Sequence, residues 1–257
     1  MSTRHDDPRS HRGRVVVGVH PVRELLRAGR SVNRILLVDR SSSDAIDEVV
    51  ALAESAGIRI SGIDRDDADD MAPGQVHQGV IALAPPFPFV GLDELLGRSR
   101  DEPTLLVAFD EVTDPHNVGS VARTAEALGA HGLILPERRT ASITPTVEKA
   151  AAGALAHLPV VSATNLVKSL EQCREAGLWL LGLEAGTGQQ VADCPLATEP
   201  LVLVVGAEGS GLRTLTRKRC DMLVELPLRG HVDSYNASVA AAMALYAIDR
   251  ARQEAAS

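Results

Sequence analysis

Aromatic residues are scarce: the chain has three Phe, two Tyr and one Trp in 257 residues. Any nucleic-acid binding therefore cannot rest on rows of stacking rings. Cysteine is scarce too, and Cys173, Cys194 and Cys220 show no CxxC spacing. An odd number without that spacing argues against a disulfide framework or zinc site, and a reduced, cytoplasmic setting is the expectation. The eight His form no spaced set with Cys or acids, so no metal is expected. No uninterrupted apolar run reaches the roughly 18 residues of a membrane span. The polar opening MSTRHDDPRSHRG lacks an apolar h-region, so no secretory signal is expected either. Positive charge is also short: the formal net charge is −8, which disfavours bulk electrostatic binding of RNA.

What the chain has in quantity is apolar residues, 45% of the total, with Leu, Val and Ala dominant. That is enough for a sizeable core in one large or two smaller domains. Its charge is unevenly spread. Residues 1–14 hold four Arg against two Asp, and GLRTLTRKR (211–219) holds Arg213, Arg217, Lys218 and Arg219 with no acid. By contrast SGIDRDDADD (61–70) holds five Asp and one Arg, a segment that bound RNA should avoid.

Residues 1–13 are polar and aperiodic and read as a disordered basic tail. A first α/β unit follows over 14–84. In it VVVGVH reads as a strand edge, HPVRELLRAG as a helix closed by Gly29 and NRILLVD as a strand. SDAIDEVVALAESAG reads as a helix closed by Gly57 and GVIALA as the last strand. Proline density in PPFPF, a brief LDELLG helix and the polar SRDEP mark a linker over 85–103. From 104 to 257 strands and helices alternate strongly. TLLVAFD, GLILP, PVVSA, WLLGLE, PLVLVVG and LVELPL read as strands. NVGSVARTAEALG, TPTVEKAAAGALAHL, NLVKSLEQCREAG and SYNASVAAAMALYAIDRAR read as helices. Continuous apolar strands between helices predict a buried, largely parallel sheet.

Three segments carry candidate chemistry. VVGAEGSGL (204–212) is a glycine-rich turn after a buried strand, where backbone can approach a ligand closely. Its G-x-x-G-x-G spacing at Gly206, Gly209 and Gly211 is not the dinucleotide fingerprint, so a ligand with little or no phosphate fits better. Glu208 within it either holds a ligand or caps the next helix. In DEVTDPHNVGSVARTAEALG (110–129), Asn117 reads as a helix N-cap. There Arg123 is either solvated or aimed at a phosphate or ribose oxygen. In LPLRGHVDSYNASVAAAMALY (226–246), Ser234, Asn236 and Ser238 can cap the last helix or face a ligand. Small residues around that helix suggest close packing on another element or another subunit.

Together, in this order, the three segments resemble the SpoU/TrmH family of α/β-knot RNA methyltransferases, most closely the 23S rRNA guanosine-2′-O-methyltransferase group. GVHPVRELL (18–26) and HQGVIALAP (77–85) resemble that family's N-terminal RNA-binding domain. The resemblance implies a C-terminal domain with a deep trefoil knot, which ordinary topology rules argue against and no periodicity reveals. It implies a homodimer, with S-adenosylmethionine (AdoMet) held by backbone around Gly206, Leu226 and Tyr235 and a pocket shaped by Gly209, Glu208, Ser234 and Asn236. It places Asn117 and Arg123 near the target ribose. The family's usual IPM…SLN is here Leu226-Pro227-Leu228 and Ser234-Tyr235-Asn236. Tyr235 leaves the cofactor untouched if only its backbone contributes, and reshapes the pocket if its ring packs on the adenine.

The chemistry so implied is transfer of a methyl group to a ribose 2′-OH, a poor nucleophile that must be aligned and deprotonated. Arg123 would act as base or, given a guanidinium pKa above about 12, as a phosphate anchor that lowers the hydroxyl pKa. RNA contact is expected from the first unit, the tail, Arg138, Arg139 and the 213–219 cluster. The same chemistry on tRNA, or on an rRNA adenosine of the thiostrepton-resistance type, is the nearest alternative. A non-catalytic RNA-binding module is another, and a nicotinamide dehydrogenase a distant third.

Overall fold

The run Leu105–Asp110 is buried at all six positions, as a strand covered on both faces requires. It is β5 of a computed structural model that describes residues 13–38, 43–98 and 100–256. The basic tail falls outside those residues, Gly13 excepted. The chain separates into two units, the first formed by residues up to Pro88 together with Ile143–His157, the second by Phe89–Ser142 and Leu158 onward.

In the first unit the elements are β1 (Arg14–Val17), α1 (Val19–Arg27), β2 (Arg34–Val38), α2 (Asp44–Ser55), β3 (Ile60–Ile63), α3 (Arg65–Met71) and β4 (Val80–Ala84). Their sheet runs β1-β4-β2-β3 and is mixed: β2 and β3 pair in parallel, while β4 is antiparallel to both neighbours. The sequence reading lacked β3 and α3. The strand ISGI buries only Ile63, and the acidic helix buries only Ala68, so neither shows a period.

TPTVEKAAAGALAHL is not one helix. It forms α6 (Pro145–Ala150) and, after a break, a 3-10 turn over Ala154–Ala156. (The intervening helices α4, Leu92–Leu96, and α5, Pro115–Ala127, belong to the second unit.) The break is at Ala152 and Gly153, whose φ values of 50° and 98° are left-handed. A Cβ on Gly153 would lie 2.5 Å from Glu24, so local helix propensity yields to close packing on α1.

The second unit holds α4 (Leu92–Leu96), β5 (Leu105–Asp110), α5 (Pro115–Ala127), β6 (Gly132–Pro136), β7 (Val160–Ala163), α7 (Leu166–Glu175), β8 (Trp179–Leu183), β9 (Leu201–Gly206), α8 (Thr214–Arg217), β10 (Met222–Val224) and α9 (Ala237–Ala255). All five strand pairings in its six-stranded sheet are parallel, in the order β10-β8-β9-β5-β6-β7. The alternation predicted that sheet. Leu95 of α4 is fully buried in the core of this unit. From β5 the chain first builds outward to β6 and β7, then returns on the other side to β8 and β9. Such a reversal opens a crevice at the carboxyl ends of the strands.

Candidate active site

That crevice is framed by the glycine turn. Gly206 ends β9, paired in register with Asp110 at the end of β5. From there the turn folds back on itself, with Ala207 N donating to Gly211 O at 3.1 Å and Gly211 N to Ala207 O at 3.0 Å. A Cβ at position 206 would meet Gly211 C at 2.4 Å and Leu212 N at 2.7 Å, so only glycine fits.

Asp110 closes the turn from below. It is fully buried, and its carboxylate accepts from Arg213 N at 2.8 Å and Arg213 Nε at 2.6 Å. One acid therefore anchors the residue after the turn while its backbone partners the residue that opens it. Sequence reasoning missed Asp110. The available signal was an acid at the end of an otherwise apolar strand, a position that demands a partner once buried.

Beside the turn lies a cavity of about 460 Å³. Gly206, Glu208, Gly209, Leu226, Ser234 and Tyr235 all line it, so six of the nine predicted site residues meet at one hollow. Its apolar wall includes Val205, Leu226 and Leu228. Among the described residues, the charged ones lining it are Glu184, Glu208 and Asp233, with no Lys or Arg. Tyr235 spans the last motif, its hydroxyl donating to Pro227 O at 2.8 Å. The residue that departs from the family pattern thus ties the Leu226–Leu228 wall to the segment before α9.

Asn117 and Asn236 are held at Glu208. Asn117 Nδ2 donates to Glu208 Oε1 at 2.9 Å, Asn236 Nδ2 donates to the same oxygen, and Ala237 N approaches it at 3.4 Å. Asn236 Nδ2 also reaches Asn117 Oδ1 at 3.0 Å. Asn236 Oδ1 caps α9, accepting from Ser238 N at 3.0 Å and Val239 N at 3.3 Å. Asn117 is not the N-cap of α5. Asp114 takes that role, accepting from His116 N at 2.9 Å, with Pro115 starting the helix. Proline suits the first helical position because it has no N–H to satisfy. The earlier start carries Asn117 into the helix, where it is buried and free to reach Glu208.

Arg123 lies apart. It is exposed, is absent from the cavity wall, and makes no hydrogen bond or ion pair among the described residues. The basic 213–219 cluster is largely neutralised: Arg213 by Asp110, Arg217 by Glu184 at 3.1 Å and Arg219 by Glu171 at 3.1 Å. Arg139 pairs with Glu111 at 3.2 Å. Lys218 and Arg138 remain as exposed cations without an ion pair among the described residues. Among those residues no three His, Cys, Asp or Glu side chains converge as a metal-ligand set, and no helix is long and apolar enough to cross a membrane.

Residues 104–246 match the family model described as the SpoU rRNA Methylase family. Residues 15–90 match the model for RNA 2′-O ribose methyltransferase substrate binding. The Bacillus subtilis protein YacO, assigned to the TrmH family of tRNA/rRNA methyltransferases, is 37% identical over 98% of both chains. The crystal structure of the SpoU methyltransferase AviRb from Streptomyces viridochromogenes has a TM-score of 0.80 and 28% identity, covering 94% of this chain and 90% of that one. The same enzyme in complex with the cofactor AdoMet has a TM-score of 0.78 and 30% identity, covering 93% and 90%.

Proposed function

This chain belongs to the SpoU rRNA methylase family, and from that premise we propose that it methylates a guanosine ribose of 23S rRNA in the cytoplasm, working as a homodimer. It is an AdoMet-dependent RNA 2′-O-methyltransferase.

The cavity wall carries the cofactor assignment. Three carboxylates with no Lys or Arg suit a ligand of net positive charge and repel the phosphates of a dinucleotide. AdoMet fits that description, and when bound it supplies a methyl group activated on a cationic sulfonium. At about 460 Å³ the cavity falls within the range of roughly 300–1,000 Å³ usual for small-molecule sites. Backbone around Gly206, Leu226 and Tyr235 would hold the cofactor, with Gly209 and Ser234 completing the wall. Glu208 would face it, held in place by Asn117 and Asn236. Arg123 would act at the ribose, as base or as anchor of a neighbouring phosphate.

The dimer reading draws on α9. Val239, Met243 and Tyr246 are exposed large side chains at i, i+4 and i+7, which puts them in one stripe. An exposed apolar stripe of this kind would suit packing against a second copy of the chain. Within the 23S reading, the RNA would be gripped by the first unit, where the substrate-binding model matches.

A tRNA target is the second reading, because YacO is assigned to a family of tRNA/rRNA methyltransferases. The deciding experiment maps 2′-O-methyl groups across rRNA and tRNA from cells lacking the protein. Loss of one 23S guanosine methylation supports the proposal, and loss confined to tRNA or to an rRNA adenosine overturns it.

A further inference from the structure

A second cavity, about 450 Å³, opens in the same unit at the carboxyl end of the edge strand β7. Because the sheet is parallel throughout, this is the end that also carries the Gly206 turn. Three strand spacings separate β7 from β9, roughly 14 Å at about 4.8 Å each.

Its charge balance differs from that of the acidic cofactor cavity. One wall is the first turn of α7. Asn165 caps the helix through Oδ1, which accepts from Lys168 N at 3.2 Å, so its Nδ2 donors are not used in the cap. Lys168 contributes the one cation of the wall among the described residues, and Gln172 an amide one turn on. Between them is Ser169, only 8% exposed. Its side chain lines the cavity and has no hydrogen-bond partner among the described residues. An unpartnered hydroxyl on a residue this enclosed leaves one hydrogen bond open to a ligand that enters the cavity. Across the cavity stands a single carboxylate, Asp93.

We propose that this cavity takes a backbone phosphodiester of the RNA substrate, a few nucleotides from the ribose being methylated. The proposal rests on the reading of the chain as an RNA 2′-O-methyltransferase. A helix N-terminus with a lysine and neutral donors is an anion site. Asp93 opposes a phosphate monoester, whose charge at pH 7 is about −1.5 to −2, more than a singly charged phosphodiester. RNA that brings a 2′-OH to the cofactor cavity crosses the carboxyl ends of the strands, and β7 lies on that rim.

The test compares Lys168→Glu and Ser169→Val with the unaltered chain. The probe is whichever unmethylated transcript, 23S rRNA or tRNA, accepts methyl groups from labelled AdoMet. Its affinity is measured by filter binding across a salt series, and AdoMet affinity by calorimetry. Lys168→Glu should weaken RNA binding about tenfold and lower the slope of log affinity against log salt by about one. Ser169→Val should weaken it about fivefold through the lost hydrogen bond, without changing the slope. AdoMet affinity should not move in either variant. A dinucleoside monophosphate should compete for the site better than inorganic phosphate. If Lys168→Glu acts and Ser169→Val does not, the effect is surface charge and the cavity assignment falls. It falls equally if neither variant changes RNA binding. Failure of the unaltered chain to methylate any RNA would instead sink the underlying reading, and it is seen without either substitution.

Discussion

Replacing Gly206 with alanine should disable the cofactor cavity while leaving the fold intact. The added Cβ would sit 2.4 Å from Gly211 C, 2.5 Å from Gly211 O and 2.7 Å from Leu212 N. Comfortable carbon contacts begin near 3.5 Å, so the shortfall is about 1 Å. Every atom in the way is backbone, so no rotamer change relieves it. The turn must lift away from β9, against the paired bonds between Ala207 and Gly211 and the Asp110 clamp on Arg213. Overpacking of this kind costs about 1–3 kcal/mol. Carried entirely by the binding-competent turn, that is roughly a 5- to 150-fold loss of AdoMet affinity, since about 1.4 kcal/mol is tenfold. Gly209→Ala is the comparison. Position 209 has open space around it and a φ of 76°, so alanine there meets only the left-handed backbone penalty. That penalty is about 1 kcal/mol, or about fivefold. Calorimetric titration with AdoMet, run beside a thermal melt, separates the two. The steric reasoning fails if Gly206→Ala binds AdoMet as the unaltered chain does, or if Gly209→Ala is the worse of the pair.

The charge of the cavity gives a second prediction. Asp233→Asn should weaken AdoMet more than its neutral thioether product, and equal losses for the two ligands would remove the electrostatic argument for the cofactor. In the first unit Glu148 is buried beside Arg14, and burial pushes its carboxyl up to about 7 despite the guanidinium. A raised carboxylate pKa contributes stability that is present below pH 4.5 and lost as pH rises to about 7, by about 3 kcal/mol at most. Urea melts between those limits should therefore show a steeper fall for the unaltered chain than for Glu148→Gln, and parallel curves would contradict the assignment. On α9, Tyr246→Asp in the exposed stripe should shift sedimentation from dimer to monomer, and an unchanged dimer would place the interface elsewhere.

Much of the fold was legible because the second unit is built from strands that are apolar at nearly every position. Runs such as TLLVAFD and PLVLVVG are short, rich in Val and Leu and bounded by Pro, Gly or Asp, which favours buried strands of a parallel sheet over helices. What escaped was short or set by distant partners. ISGI and RDDADDM each bury one residue, so pattern alone cannot find them. The break at Gly153 depends on Glu24, more than a hundred positions earlier. The same holds at the site. The 213–219 cluster has no acid in its own sequence and looked free to bind RNA. Its acids, Asp110, Glu171 and Glu184, arrive from β5, α7 and the end of β8. Local charge counts cannot show that pairing, and it shifts the search for RNA-binding cations toward Lys218 and Arg138.

The placement of Arg123 relative to Asn117 has a sharper consequence. Both are on α5, six residues apart, and at about 100° per residue they face directions roughly 120° apart. Asn117 turns inward to Glu208, while Arg123 is exposed and absent from the cavity wall of its own chain. A residue that acts at the ribose must nevertheless come near the methyl donor. In the proposed dimer the partner can meet that need, because α5 packs against α9, the helix whose outer stripe is exposed. Arg123→Ala alone should abolish methyl transfer with AdoMet binding retained. Gly206→Ala, assayed with AdoMet well below its weakened affinity, should lose most of it through poorer AdoMet binding. If Arg123 serves the cavity of the other subunit, dimers re-formed from equal amounts of the two variants regain one complete site in each mixed dimer, about a quarter of the unaltered activity. If Arg123 serves its own cavity, every site in the mixture lacks one of the two residues and activity stays at the residual level of the two variants. Subunit exchange followed by transfer from labelled AdoMet distinguishes the two, and full activity of Arg123→Ala by itself would remove the residue from the chemistry altogether.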